Sequence, residues 1–441
     1  MRRRRNGTAV VVLAVVGVLV AAPGAAARIR GERPPNPKAC VHNNPALRLL
    51  TAEEAARPTW PEQMLQYSQA WAFTRGAGVK VAVVDSGVDA EHEQLAGQVD
   101  RGWDVTSGKA ARGGTTDCAG HGTGVAGLIA ARPVAGRTMA GVAPDATILP
   151  VRQSWGVDDH GRATGSSADA LLLAIRVAVD SGAQVVNVSV TVPDVQLREP
   201  QRQAFNALAQ YASDHNVLIV AASGNRSQSG GPTGEDLTTY PARLAAWYRN
   251  VIAVSGITSD GKVDGDAITG PFVTVAAPDR GFPSTMEHGG LVSVEGTSYA
   301  APLVSGLAAL IRSRYPEATA AEVRTRIETT ADHPSTDLPD PRVGYGVINP
   351  LAAVTAVLPP EGPPSAPPPS AAPLGVVPRQ DAALKAWALG VSAVAVLLAA
   401  LLVSGSPVVR RGRRRGWRPG NLPGRTRQWD EGLPPSGAGG R

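Results

Sequence analysis

Cysteine is nearly absent: in 441 residues only Cys40 and Cys118 occur. So sparse a pair excludes a disulfide-stapled scaffold, and no cluster of ligand-type residues accompanies either thiol to suggest a zinc site. Acidic residues are missing from the first 27 positions, and residues 404–441 hold only Asp430 and Glu431. Of the net charge of +6, the first segment therefore carries +4 and the last +7, leaving residues 28–403 at −5. A mildly acidic body argues against a phosphate-binding face, and no nucleic-acid partner is expected. There is no internal repeat, no carboxylate-rich loop of the EF-hand kind, and no glycine-rich phosphate loop after the first strand. A nucleotide-binding α/β domain is set aside on that last ground, and no cofactor is expected.

What is present is a mosaic. The hydrophobic fraction of 43% is ordinary for a globular protein, while Pro and Gly crowd into particular stretches. Residues 1–27 read as an export signal, with Arg2 to Arg5 as the basic region, residues 8–22 as the apolar region and Ala25, Ala26, Ala27 as the cleavage site. An uncleaved anchor helix is the alternative. Residues 386–403 carry no charge over a length that spans a bilayer, placing a transmembrane helix at 384–403. Arg410, Arg411, Arg413, Arg414, Arg415 and Arg418 follow it, so the positive-inside rule puts the basic tail, 404–441, in the cytoplasm and the body outside the cell membrane. In an exported chain, Cys40 and Cys118 read as a disulfide rather than as a metal site or free thiols.

Between these ends, residues 28–65 form a Pro-rich extension too short for a core of its own, expected to lie on the domain that follows. It is too small to be a folded inhibitory prodomain. From residue 66 to 357 apolar β-branched runs at 79–84, 147–151, 185–190, 217–221 and 251–254 alternate with helical stretches at 122–131, 167–181, 201–215 and 300–315. The alternation predicts an α/β domain with a doubly wound, mostly parallel sheet flanked by helices. Residues 358–383 are a Pro/Ala/Ser-rich linker that acts as a stiff spacer to the span.

Three sites carry chemistry. Asp85 ends the first apolar run, where open parallel sheets place functional groups. His121 stands in D-C-A-G-H-G-T-G at the start of a helix, and Ser298 in G-T-S-Y-A-A-P before another. Taken singly, each has a plainer reading: a helix cap, a loop histidine, a capping hydroxyl. Together they occur in the chain order Asp, His, Ser, which is the order of subtilisin as against chymotrypsin or the α/β-hydrolases. Asn225 ends V-L-I-V-A-A-S-G-N, and its side-chain amide is placed to join the Ser298 N–H in an oxyanion hole.

By D-S-G-V-D, H-G-T-G-V-A-G, A-S-G-N and G-T-S-Y-A-A-P the chain resembles the subtilisin-like serine proteases over roughly residues 66–357. The resemblance implies a peptidase acting through an acyl-enzyme, with substrate backbone held by Ser189, Val190 and Thr191 on one side and Ala222, Ser223 and Gly224 on the other. Tyr299 departs from the methionine usual after the nucleophile and is expected to alter packing beneath it. A narrower resemblance, resting on the placement of Cys40 and Cys118, L-P-V-R-Q-S at 149–154 and the linker with its single span, is to the mycosins. It implies a peptide or protein substrate and association with a type VII secretion membrane complex. A scaffold role in such a complex, with proteolysis dispensable, is the rival reading.

Overall fold

A computed structural model of the chain describes residues 48–157, 163–164, 167–226, 237–358, 410–414 and 416. The chain divides into two units, Met1–Leu358 and Pro359–Arg441. The export signal, Cys40, most of the linker and the 384–403 span lie outside the described residues. Among the described residues no helix is long and apolar enough to cross a membrane.

The first unit is built on an eight-stranded sheet. In spatial order its strands are Val275–Pro278, Val251–Ile257, Leu218–Ala222, Val185–Val188, Lys80–Asp85, Thr147–Arg152, Trp103–Asp104 and Ala111–Arg112. All neighbours are parallel except the last pair. Such strands are covered on both faces, which is why they read as continuous Val/Ile/Ala runs rather than alternating ones. One face carries Val81, Val83, Val220 and Val254 against the helices His121–Ala130 and Thr297–Arg314. The other carries Ala82, Val84, Val186 and Ile219 against Ala168–Asp180 and Glu199–Asp214. Thr297–Arg314 is apolar nearly all round because it is buried nearly all round.

The four helices foreseen from the sequence are present with ends moved by one to three residues. The run at 185–190 is paired as a strand only as far as Val188, opposite Val84 and Ala221. Ser189, Val190 and Thr191 therefore leave the sheet at its carboxyl edge.

An antiparallel hairpin, Arg280–Thr285 with Leu291–Glu295, lies outside the main sheet and has no counterpart in the predicted elements. The described part of the extension meets it. The Leu50 N–H donates to Leu291 O at 2.8 Å, and Trp60 covers the face of Gly281. Short helices at Ala52–Ala55 and Trp60–Leu65 shape this segment, the first closed by a capping box between Thr51 and Glu54.

Candidate active site

The first strand of the sheet is also its topological switch point: after Lys80–Asp85 the chain lays Trp103–Asp104, Ala111–Arg112 and Thr147–Arg152 on one side and then Val185–Val188 on the other. Crevices form outside the carboxyl ends of strands at such points. Asp85 ends that strand, 1% exposed. Its Oδ1 accepts the Ser86 N–H at 2.7 Å and lies 2.8 Å from His121 Nδ1. The approach depends on Gly122, where an added Cβ would fall 2.0 Å from Gly87 O and 3.0 Å from Asp85 Cβ.

The loop before His121 is tied down by Asp117, which the sequence reading missed. Its Oδ1 accepts from Ser86 Oγ and the Ala119 N–H, both at 3.0 Å; its Oδ2 accepts from Thr123 N–H at 2.9 Å and Oγ1 at 2.8 Å. Ser86 Oγ in turn accepts the Gly122 N–H at 3.0 Å. The available signal was an acid just ahead of a helix start, the pattern of a cap. Burial, aided by the charge of Asp85, pushes the Asp117 carboxyl up against the pull of these bonds. Burial also opposes charging His121, but the charge and hydrogen bond of Asp85, with Asp117 behind it, outweigh that and raise the imidazole above its ordinary value.

Ser298 lies in the first turn of Thr297–Arg314, whose N-cap, Gly296, has φ +114°. A Cβ there would sit 3.0 Å from Asn225 Nδ2 and 3.6 Å from Ser298 Oγ, so both groups flank one bare backbone position. Asn225 is held with its amide nitrogen on that side, because its Oδ1 accepts from Thr297 N–H at 3.1 Å and Oγ1 at 2.8 Å. The structure thus brings Asp85 to His121 and Asn225 to Ser298. Among the described residues no hydrogen bond joins Ser298 Oγ to His121, as is common before substrate closes a site.

The Ser298 carbonyl has an unusual partner. Its helical donor would be the amide of residue 302, but that residue is proline. Ser189 Oγ donates to it instead at 2.6 Å. Asn187 Nδ2 donates to Ser189 Oγ at 2.9 Å, and Ser305 Oγ to Asn187 Oδ1 at 2.8 Å, all of it buried. The Ser189 side chain thus serves the helix that carries Ser298, leaving the backbone of 189–191 at the sheet edge. Of the opposite segment, Ala222 and Ser223 are buried, and Ser223 O accepts the Thr239 hydroxyl at 2.8 Å; Gly224 packs beside Thr191 and Thr239. Among the described residues no group of three or more His, Cys, Asp or Glu is placed to hold a metal ion.

The sequence profile of the Subtilase family matches residues 76–346. Fold, site and profile define a subtilisin-like serine endopeptidase. The chain is 40% identical over 319 residues to Mycosin-4 of Mycobacterium tuberculosis, covering 67% of this chain and 68% of that one. The crystal structure of MycP1 from Mycobacterium smegmatis superposes with a TM-score of 0.61 at 29% identity, covering 73% and 90% of the two chains. A chain of an intact ESX-5 inner membrane complex does so with a TM-score of 0.62 at 30% identity, covering 82% and 93%. The chain belongs to the subtilase family and, within it, to the mycosins.

Proposed function

We propose that Ser298 attacks the scissile carbonyl while His121 takes its proton and returns it to the leaving amine. Asp85 fixes the imidazole through Nδ1 and stabilises its charged form. The Asn225 amide and the Ser298 N–H stabilise the oxyanion. The observation that carries this reading is the buried 2.8 Å contact between Asp85 and His121 at the carboxyl end of the first strand. The extended segments 189–191 and 222–224 are read as the walls that hold substrate backbone. Cys40 and Cys118 are paired in a disulfide; in its support, the chain has no third cysteine and none of the described cysteines is free.

The helix at 384–403 anchors the enzyme in the cell membrane with its catalytic unit outside and its basic tail in the cytoplasm. There it works with a type VII secretion complex and processes proteins that pass through it. A second, structural role is favoured by one observation, the likeness to a chain solved within an inner membrane complex. The test compares full deletion, Ser298→Ala and a form released by a stop codon after Pro373, each scored for secretion and for co-purification with the channel. Loss of secretion on deletion but not in Ser298→Ala is expected. Equal loss in both removes the separable structural role, and failure of the intact protein to co-purify removes the complex.

A further inference from the structure

Tyr299 follows the nucleophile directly, at the position where the subtilisin-like pattern carries methionine. Its ring lies against the general base: the Tyr299 and His121 centroids are 5.1 Å apart with planes tilted by 53°. That separation is within the range of favourable aromatic pairs. The ring also reaches the next turn of the helix His121–Ala130, where a Cβ on Gly124 would stand 3.2 Å from Tyr299 Cε1. His121 and Gly124 are three residues apart and share one helical face, so a single ring covers both.

The tyrosine is itself fixed. Its N–H donates to Gly296 O at 2.8 Å, within the turn that presents Ser298. Burial, reinforced by Asp85, Asp117 and Glu287, raises its hydroxyl far above the ordinary phenol range, so it stays neutral. Asp85 at the strand end and Asp117 in the loop before His121 act on both the ring and the imidazole, and Glu287 in the turn of the hairpin acts on the ring. A methionine at this place would be flexible about three bonds and would offer no plane. A ring offers a fixed wall and a π face toward a cation.

Resting on the catalytic reading above, we propose that Tyr299 is a positioning residue for His121. Its ring holds the imidazole in the rotamer that meets Asp85 through Nδ1 and leaves the other ring nitrogen for the Ser298 hydroxyl once substrate closes the site, and it shields the imidazolium formed during acylation. It acts on the reaction through His121.

The test uses the full-length protein and a peptide substrate, with kcat and KM measured across pH for wild type, Tyr299→Phe, Tyr299→Met and Tyr299→Ala. Phe keeps the ring and should stay within about twofold of wild type. Ala should lower kcat by up to about 100-fold, the cost of misplacing a reacting group by about 1 Å, with KM little changed. Water entering beside His121 should also relieve the burial that opposes its charging while the buried Asp85 contact persists, moving the acid limb of kcat/KM up. Met should fall between. If Ala does not fold, the Met and Phe variants decide the matter. Wild-type kcat and an unmoved acid limb in Ala or Met overturn the proposal, and so does a Phe variant as impaired as Ala. Those results leave the catalytic reading standing, whereas a wild type with no Ser298-dependent hydrolysis removes that reading and this inference together.

Discussion

Ser189 donates its hydroxyl to the backbone carbonyl of Ser298, standing in for the amide that Pro302 lacks. The proline costs the helix a hydrogen bond just after Ser298, and a residue 109 positions away restores it. This joins the turn of Ser298 to the segment read as holding substrate.

Removing that hydroxyl leaves a buried carbonyl unsatisfied. Ser189→Ala should cost about 1–3 kcal/mol of stability and lower kcat more than it raises KM. Pro302→Ala supplies an amide, so in the Ser189→Ala background it should recover part of the loss. A double-mutant cycle from denaturant titrations reads this coupling. Strict additivity of the two substitutions would show that the carbonyl is not their common point.

Two buried carboxyls outside the catalytic set give a pH signature. Asp279 is pushed up to about 7 by burial, with Glu295 and Asp266 adding to it; Glu287 is pushed up to about 7 by burial, with Asp117 and Asp89 adding. Arg280 stands 3.4 Å from Asp279 Oδ1, but its guanidinium is turned to Asp264, and among the described residues no donor reaches Asp279 Oδ2. Both groups hold their protons more tightly folded than unfolded, where carboxyls titrate near pH 4. Stability is therefore fully present below about pH 4, falls as pH rises to about 7 by at most about 1.4 kcal/mol per pH unit for each group, and flattens above. Asp279→Asn should lessen that fall in Tm between pH 4 and 7. An unchanged Tm profile would place the proton elsewhere.

Asn225→Ala removes a donor and, with it, the acceptor of the Thr297 N–H and hydroxyl. Turnover should fall by about 10²–10³, the loss established for this type of donor in subtilisin itself. KM should move little, because the oxyanion exists only during reaction. A KM effect with kcat preserved would make Asn225 a substrate ligand instead.

The extension should remain in place in the active enzyme. Leu50 pairs with the hairpin strand and Trp60 covers Gly281, so residues 48–65 are an integral cover for the edge at 280–295. Protein that keeps residues 28–65 should hydrolyse peptide without prior cleavage. Mass mapping of its non-reduced digest should yield Cys40 and Cys118 in one cross-linked peptide, three residues ahead of His121. Inert protein that gains activity only on losing residues 28–65 would contradict the first expectation, and two free thiols the second.

The parts of the fold legible in the sequence were those with a local signature. Val81 to Val84 announce a doubly covered strand, and Asp85, His121 and Ser298 each sit at the end or start of such an element. The hairpin was not legible, because Gly281 and Pro283 interrupt any alternation and a register shift falls between Arg280 and Phe282. The relay from Ser305 through Asn187 and Ser189 was not legible either: the resemblance marked Ser189 for its backbone, and its side-chain bond appears only when the fold brings together positions more than 100 apart. Tyr299 was visible as a departure from pattern, but only packing shows that its ring meets His121.

The most direct measurement is covalent labelling of the full-length protein by a fluorophosphonate, followed by mapping of the modified peptide. Wild type should carry one adduct, on Ser298. Ser298→Ala should carry none while keeping the wild-type Tm, and His121→Ala should label far more slowly. An adduct on another residue, or undiminished labelling of Ser298→Ala, would contradict the assignment of Ser298 as nucleophile.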